Sequence, residues 1–231
     1  MIRPPHLLQL TKLFHIGFNF ITADNIPQPN WRTNRKYRLS KGEFLKLYTD
    51  ELSLLGVSFG DTTRYVMLDI DIDSPYHPNN DPQAYARLLL VLESIGLVYP
   101  VPIRSSHSGG IHIYYFFPRP VSTFRIAALI RVTLINAKFS IKNGHLEIFP
   151  NTKAYSEDKK KPSYYKAHRL PFQLGSGACL LDQWGEELIC AANLTHEGQL
   201  GMFLAQAERS AQSNDLTWIE RKFEWAYELF K

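Results

Sequence analysis

The chain has 231 residues, 45% of them hydrophobic and 21% charged, which excludes a disordered or low-complexity polypeptide and allows a sizeable buried core. Its 26 Lys and Arg against 22 Asp and Glu give a formal net charge of +4, a mild bias toward an anionic partner. No apolar run approaches the length of a membrane span, so no membrane partner is expected. The early stretch "HLLQLTKLFHIGFNF" is interrupted by Lys12 and His15 and lacks a small-residue cleavage site, so it reads as structure rather than address. Cys179 and Cys190 fit neither a disulfide framework nor a zinc spacing; both are expected to be structural, in a reducing, cytoplasmic setting.

In chain order, the first 60 residues contain a short apolar helix, a loop "NIPQPNWRTNRKYRLS", and a helix "SKGEFLKLYTDELS" in which Ser40 and Glu43 are spaced for a capping box. A strand "YVMLDID" follows, then a turn-rich "SPYHPNNDP" and a helix over 81–96 that opens with Asp-Pro and stops at Gly96. Two strands, "YPVPIR" and "IHIYYFF", flank "SSHSGG". A helix over 123–137 leads through the turn "KNGH" to the strand "HLEIF". Strands alternating with long helices argue for an α/β or α+β sheet layer. "HRLPFQLGSGACLLD" reads as a further short strand and turn. Helices take over from about residue 183, and 214–230 carries a one-sided stripe of Leu216, Ile219, Phe223, Ala226, Tyr227 and Phe230.

The acids in "YVMLDIDIDSPYHP" are the first chemical signal. On a strand, Val66, Leu68, Ile70 and Ile72 share one face, while Tyr65, Met67, Asp69, Asp71 and Asp73 share the other. Adjacent carboxylates repel. Either the face is solvated or paired with Lys and Arg, or "DIDSP" is the strand running out into a turn, or the acids hold a divalent cation through oxygen ligands. Two further polar positions lie on later strands. Gly109-Gly110 permits a close backbone approach ahead of His112, and Glu147 is a lone acid between Leu146 and Ile148, where an unpartnered buried carboxylate is costly. "EDKKKPSYYKAHR" sets Lys159, Lys160, Lys161, Lys166 and Arg169 around Tyr164 and Tyr165, the charge-plus-stacking chemistry used on single strands, though a solvated basic loop has the same composition.

The ordered set "LDID", "SGGIH", "LEIFP" and "RLPFQLGSG", spanning about residues 64–182, resembles the archaeo-eukaryotic primase superfamily, in its prokaryotic primase-polymerase branch of plasmids, prophages and mobile elements. The resemblance implies an α+β catalytic core around an RRM-like sheet, over residues 1–182, with a C-terminal helical extension over 183–231. It implies a template-dependent DNA primase-polymerase that transfers nucleotides from nucleoside triphosphates to a 3′-hydroxyl, with primer synthesis from no primer. Asp69, Asp71 and Glu147 would hold two Mg2+ or Mn2+ ions; a slip of two residues would substitute Asp73 for Asp69. His112, Ser108, Gly109, Gly110, Arg104 and Arg169 would contact the nucleotide, with "SSH" (Ser105 to His107) as a rival match to the family's Ser-x-His. Lys159, Lys160, Lys161, Tyr164, Tyr165 and Lys166 would follow the single-stranded template and primer. A helicase or priming-accessory domain is the implied partner of the helical tail.

Two readings of other classes compete. One is a single-strand-binding module without chemistry, in which the acids are dispensable. The other is a replication-initiator nuclease, which usually needs a His-apolar-His pair that this sequence lacks. A kinase or ATPase is disfavoured because no P-loop pattern occurs.

Overall fold

The computed structural model describes residues 4–152, 164–188, 191 and 193–230. Its centre is a five-stranded antiparallel sheet built from β4 (Thr62–Ile70), β5 (Val101–Arg104), β6 (Ile111–Ser122), β7 (Leu146–Phe149) and β9 (Cys179–Leu180), in the order β7-β4-β6-β5-β9. Helix α3 (Pro82–Glu93) joins β4 to β5, and α4 (Thr123–Asn136) joins β6 to β7. This βαββαβ order is the RRM-like arrangement, and the architecture is α+β.

A second antiparallel sheet, β2-β1-β3-β8, combines β1 (Phe20–Asp24), β2 (Arg32–Asn34), β3 (Ser53–Val57) and β8 (His168–Arg169). Sequence periodicity did not reveal β1, β2 or β3. They are three to five residues long, β2 is polar and lies within the stretch read as a loop, and none alternates cleanly. Pairing with neighbours supplies what local pattern lacks.

The central sheet is covered on both sides, so its strands read as near-continuous apolar runs. Tyr65, Met67, Val101, Ile103, Tyr114, Phe116 and Phe149 point into a core shared with Leu55 and Val57 of the second sheet, with α1 (Pro4–Leu13), α2 (Lys41–Thr49) and α5 (His196–Ser213). Val66, Leu68, Ile70, Ile113, Tyr115 and Ile148 point the other way, against α3, α4, α6 (Leu216–Arg221) and α7 (Phe223–Phe230). The C-terminal helices therefore feed both cores. Phe203 of α5 meets the rings of Tyr114 and Phe116 edge-on at 5.6 and 5.8 Å, and Ile219 and Phe223 are buried on the helical side.

Local chemistry sets the helix ends. Asp81 accepts from Ala84 N and Pro82 opens α3. Ser40 accepts from Glu43 N at 3.1 Å, but the Glu43 carboxylate takes the Tyr37 hydroxyl at 2.8 Å, so only half of the expected capping box forms. The stripe expected over 214–230 is two helices, with Asp215 capping the first and a break at Lys222.

Candidate active site

The register of the central sheet brings three of the expected side chains into one row. Asp69 lies opposite Glu147 on one side and opposite His112 on the other. The next row inward is apolar: Phe149, Met67, Tyr114 and Val101. The polar row thus sits at one end of the core between the sheets, where β4 stops at Ile70 and the chain turns away.

Asp71 follows the last residue of β4 and is partly buried, while Asp73 is exposed in the turn. His112 Nε2 is 3.5 Å from Asp69 Oδ1, and its Nδ1 is 3.4 Å from the Tyr114 hydroxyl. The rival His107 is exposed, and its ring lies against Gly177. Of the two histidines it is His112 that faces the acids.

The electrostatics follow from crowding like charges in a poorly hydrated place. The Asp69 side chain is 27% exposed, yet enough protein surrounds its carboxyl to strip most of its water. Burial, followed by the charges of Asp71 and Glu147, pushes its pKa up to about 7, with Arg169 acting in the opposite sense. Asp71 is also raised, by burial first and then by Glu147 and Asp73. Burial, reinforced by His168 and Arg169, holds His112 well below its ordinary value, so it is neutral at pH 7. Glu147 is turned toward Lys166, whose Nζ donates to Oε1 at 2.7 Å and to Asn143 Oδ1 at 3.2 Å. The pair opens onto a cleft of about 300 Å³ also lined by Arg131, Lys142 and Asn151.

Among the described residues, no group of three or more His, Cys, Asp or Glu side chains converges closely enough to hold a metal ion. The Lys166 ammonium pairs with Glu147, and Asp69 Oδ1 lies beside His112 Nε2. The donor types nonetheless fit a hard divalent cation, because such a cation offsets both the burial and the repulsion between acids that raise Asp69 and Asp71.

The Gly109-Gly110 turn closes the β5–β6 hairpin beside this row. Gly109 has φ +86°, open to glycine at no steric cost, and a Cβ on Gly110 would come within 3.3 Å of the Ile70 carbonyl. Ser105 N donates to Gly110 O at 2.7 Å, and the Ser106 and Ser108 hydroxyls are 2.8 Å apart. His77 was not anticipated. Its Nδ1 accepts from Asn79 N, so Nε2–H donates to Gly109 O at 3.2 Å and braces the turn. The only sequence signal was its place in "SPYHP".

Arg169 and Arg104 part company. Arg169 enters from β8, is largely buried, and lies close enough to Asp69 and Tyr114 for their charges to oppose the lowering of its pKa by burial. Arg104 pairs across β5 with Ile111 and Cys179, on the face opposite His112, where it bonds Gly177 O and Glu187 at 3.2 Å each. Tyr164 is exposed, whereas Tyr165 is buried beside Phe59. Lys159, Lys160, Lys161 and Cys190 lie outside the described residues. Cys179 is buried and its thiol is pushed up to about 12, chiefly by burial, consistent with a structural role.

His168 was also missed. The Tyr65 hydroxyl donates to its Nε2 at 2.7 Å, and its Nδ1–H donates to Arg169 O at 2.8 Å. Burial lowers its pKa to about 4, so it is a neutral link between β4 and the second sheet, adjacent to Arg169.

No protein-family model and no curated protein matches the chain. Among solved structures it is similar to the AEP domain of the cyanophage S-2L primase-polymerase, at 18% identity and TM-score 0.38, covering 87% of this chain and 98% of that one. It is similar to the polymerase domain of Mycobacterium tuberculosis ligase D in complex with DNA, at 14% identity and TM-score 0.46, covering 91% of each. It is also similar to the primase RepB′, at 11% identity and TM-score 0.35, covering 90% of this chain and 65% of that one.

Proposed function

We propose that the protein is a metal-dependent nucleotidyltransferase of the archaeo-eukaryotic primase type, a DNA primase-polymerase acting on a single-stranded template with nucleoside triphosphates. The observation that carries this reading is the row Glu147, Asp69, His112, held in register on three adjacent strands beside a glycine turn.

Held by Asp69, Asp71 and Glu147, two Mg2+ or Mn2+ ions would supply Lewis acidity at the attacking 3′-oxygen and the transferred phosphate. The chain's own groups do the rest. As ligands Asp69 and Glu147 would act as carboxylates, Asp69 without the proton that burial and its acidic neighbours favour and Glu147 turned from Lys166. Neutral His112 offers a ring nitrogen to the triphosphate, and Ser108 with the Gly109-Gly110 backbone cradles it. Arg169 supplies positive charge from the second sheet. Lys166, Tyr164 and the Lys159–Lys161 run would hold the template. The boundary between a core over 1–182 and an extension over 183–231, the plasmid or prophage origin, synthesis without a primer, a helicase partner and a cytoplasmic setting belong to the same proposal. No described helix is long and apolar enough to cross a membrane.

The test is primer extension and primer-free synthesis on single-stranded DNA with Mg2+ or Mn2+, comparing the unaltered protein with Asp69→Ala/Asp71→Ala and with His112→Ala. Metal-dependent synthesis that disappears in the double variant supports the reading. A second reading, a single-strand-binding module without chemistry, draws on the Lys166–Glu147 pair, which compensates the acid without any metal. Retained single-strand binding with no synthesis under either ion would select it.

A further inference from the structure

A second positively charged surface lies on a segment whose sequence reads as a loop. The stretch "WRTNRKYR", Trp31 to Arg38, contains Arg32, Arg35, Lys36 and Arg38 with Trp31 and Tyr37. It forms the edge strand β2 and the turn after it, tightened by Lys36 N donating to Asn34 Oδ1. Arg35, Lys36 and Arg38 are exposed and have no carboxylate within ion-pair distance among the described residues. Arg32 faces Asp24 at 3.9 Å, a loose and solvated contact, and Tyr37 is held by Glu43.

The charge continues into a cleft of about 350 Å³ between α1 and the start of β4, lined by Lys12, His15, Arg38, Thr62 and Arg64. Backbone carbonyls orient both guanidinium groups there: Arg38 donates to Ile16 O and Arg64 to Pro118 O. Lys12 and Arg64 also lack a carboxylate within ion-pair distance among the described residues; the nearby acid is Asp61, whose charge reaches His15. Cations held by neutral carbonyls rather than by acids keep their charge available to an anion. At the other end of the segment, Trp31 lies 5.5 Å from the Arg169 guanidinium, which ties the surface to the candidate site. Across the second sheet Thr33, Ile21, Gly56 and Arg169 are paired in one row, so β2 and β8 share a face.

We propose that Trp31–Arg38 and the adjoining cleft of Lys12, Arg38 and Arg64 form a second nucleic-acid surface, which grips the phosphodiester backbone of a single strand while Trp31 stacks a base. Cations along the backbone path and an aromatic platform are the two components such binding uses. The surface deepens the polymerase reading and rests on it for the identity of the strand as template, but binding is measured without catalysis.

The experiment is fluorescence anisotropy of a labelled dT20 strand in EDTA, across a salt series, with ATP as a competing source of phosphate. Arg35→Ala/Lys36→Ala/Arg38→Ala is expected to weaken binding ~10-fold or more and to reduce the slope of log K against log salt by about 2, the share of three phosphate contacts on a single strand. Trp31→Ala is expected to weaken it about 5-fold or more. Arg35→Glu/Lys36→Glu, at two exposed side chains, guards against misfolding and should weaken binding further, with an unchanged thermal transition. Unchanged affinity and slope in both charge variants overturn the proposal, as does ATP affinity falling while dT20 affinity holds, which would assign the surface to free nucleotides. Weakened dT20 binding in a protein that synthesises nothing keeps this surface and removes the polymerase reading; synthesis with unchanged dT20 binding does the reverse.

Discussion

Replacing Asp69 by Asn should stabilise the metal-free protein at pH 8 and do little at pH 4. Asp69 is the carboxyl that the fold crowds most, moved from 3.8 to about 7 by burial and by Asp71 and Glu147. Between those two values the unfolded chain has released this proton while the folded chain still holds it. Stability is therefore fully present below about pH 4 and is lost as pH rises through 7. Integrated over the displacement, the ionised carboxylate costs ~4 kcal/mol by pH 8. Asn keeps the shape without the charge, so the expected gain at pH 8 is between ~1 and ~4 kcal/mol, lowered by whatever the amide fails to satisfy beside His112. Urea unfolding in EDTA at pH 4, 5 and 8 measures it. A difference between variant and unaltered protein that is the same at all three pH values would refute the electrostatic account of the row.

Other outcomes follow from the same geometry. Lys166→Met should change stability by less than ~1 kcal/mol, because the pair with Glu147 is half-exposed on the lysine side. The same variant should bind Mn2+ severalfold more tightly in an electron paramagnetic resonance titration, since Glu147 no longer has a built-in cation to give up. Tyr65→Phe should cost ~1–3 kcal/mol in urea unfolding, by leaving buried His168 Nε2 without its donor. Phe203→Ala should cost ~3–5 kcal/mol, since the ring sits fully buried against Tyr114, Phe116 and Phe172. A loss near zero would mean that α5 is not part of the core.

Much of the central layer was legible because its signals are local. The alternation through "YVMLDI" separates Tyr65, Met67 and Asp69 from Val66, Leu68 and Ile70, and the structure puts Tyr65 and Met67 in one core, Val66, Leu68 and Ile70 in the other, and Asp69 in the polar row at the end of the first. Asp-Pro and Gly punctuation bounded α3, and the Ser40 cap marked α2. The second sheet was not legible. "FITAD", "RTN" and "SLLGV" are too short to show a period, and pairing with other segments, as of Gly56 with the distant Arg169, makes them strands. For the same reason Arg32 to Arg38 read as loop.

For the candidate site, sequence by itself determined which residue types lie on which face, because a strand alternates with period two whatever it packs against. It named Asp69, His112 and Glu147 as polar members of three separate strands. Only the tertiary structure decided that they are neighbours, since register is a property of pairing rather than of any one strand. It also separated Arg169 from Arg104, one beside Asp69 and the other behind the sheet, and it turned Glu147 toward Lys166. Those choices depend on long-range packing and on charges brought together from distant parts of the chain, which leave no trace in local pattern.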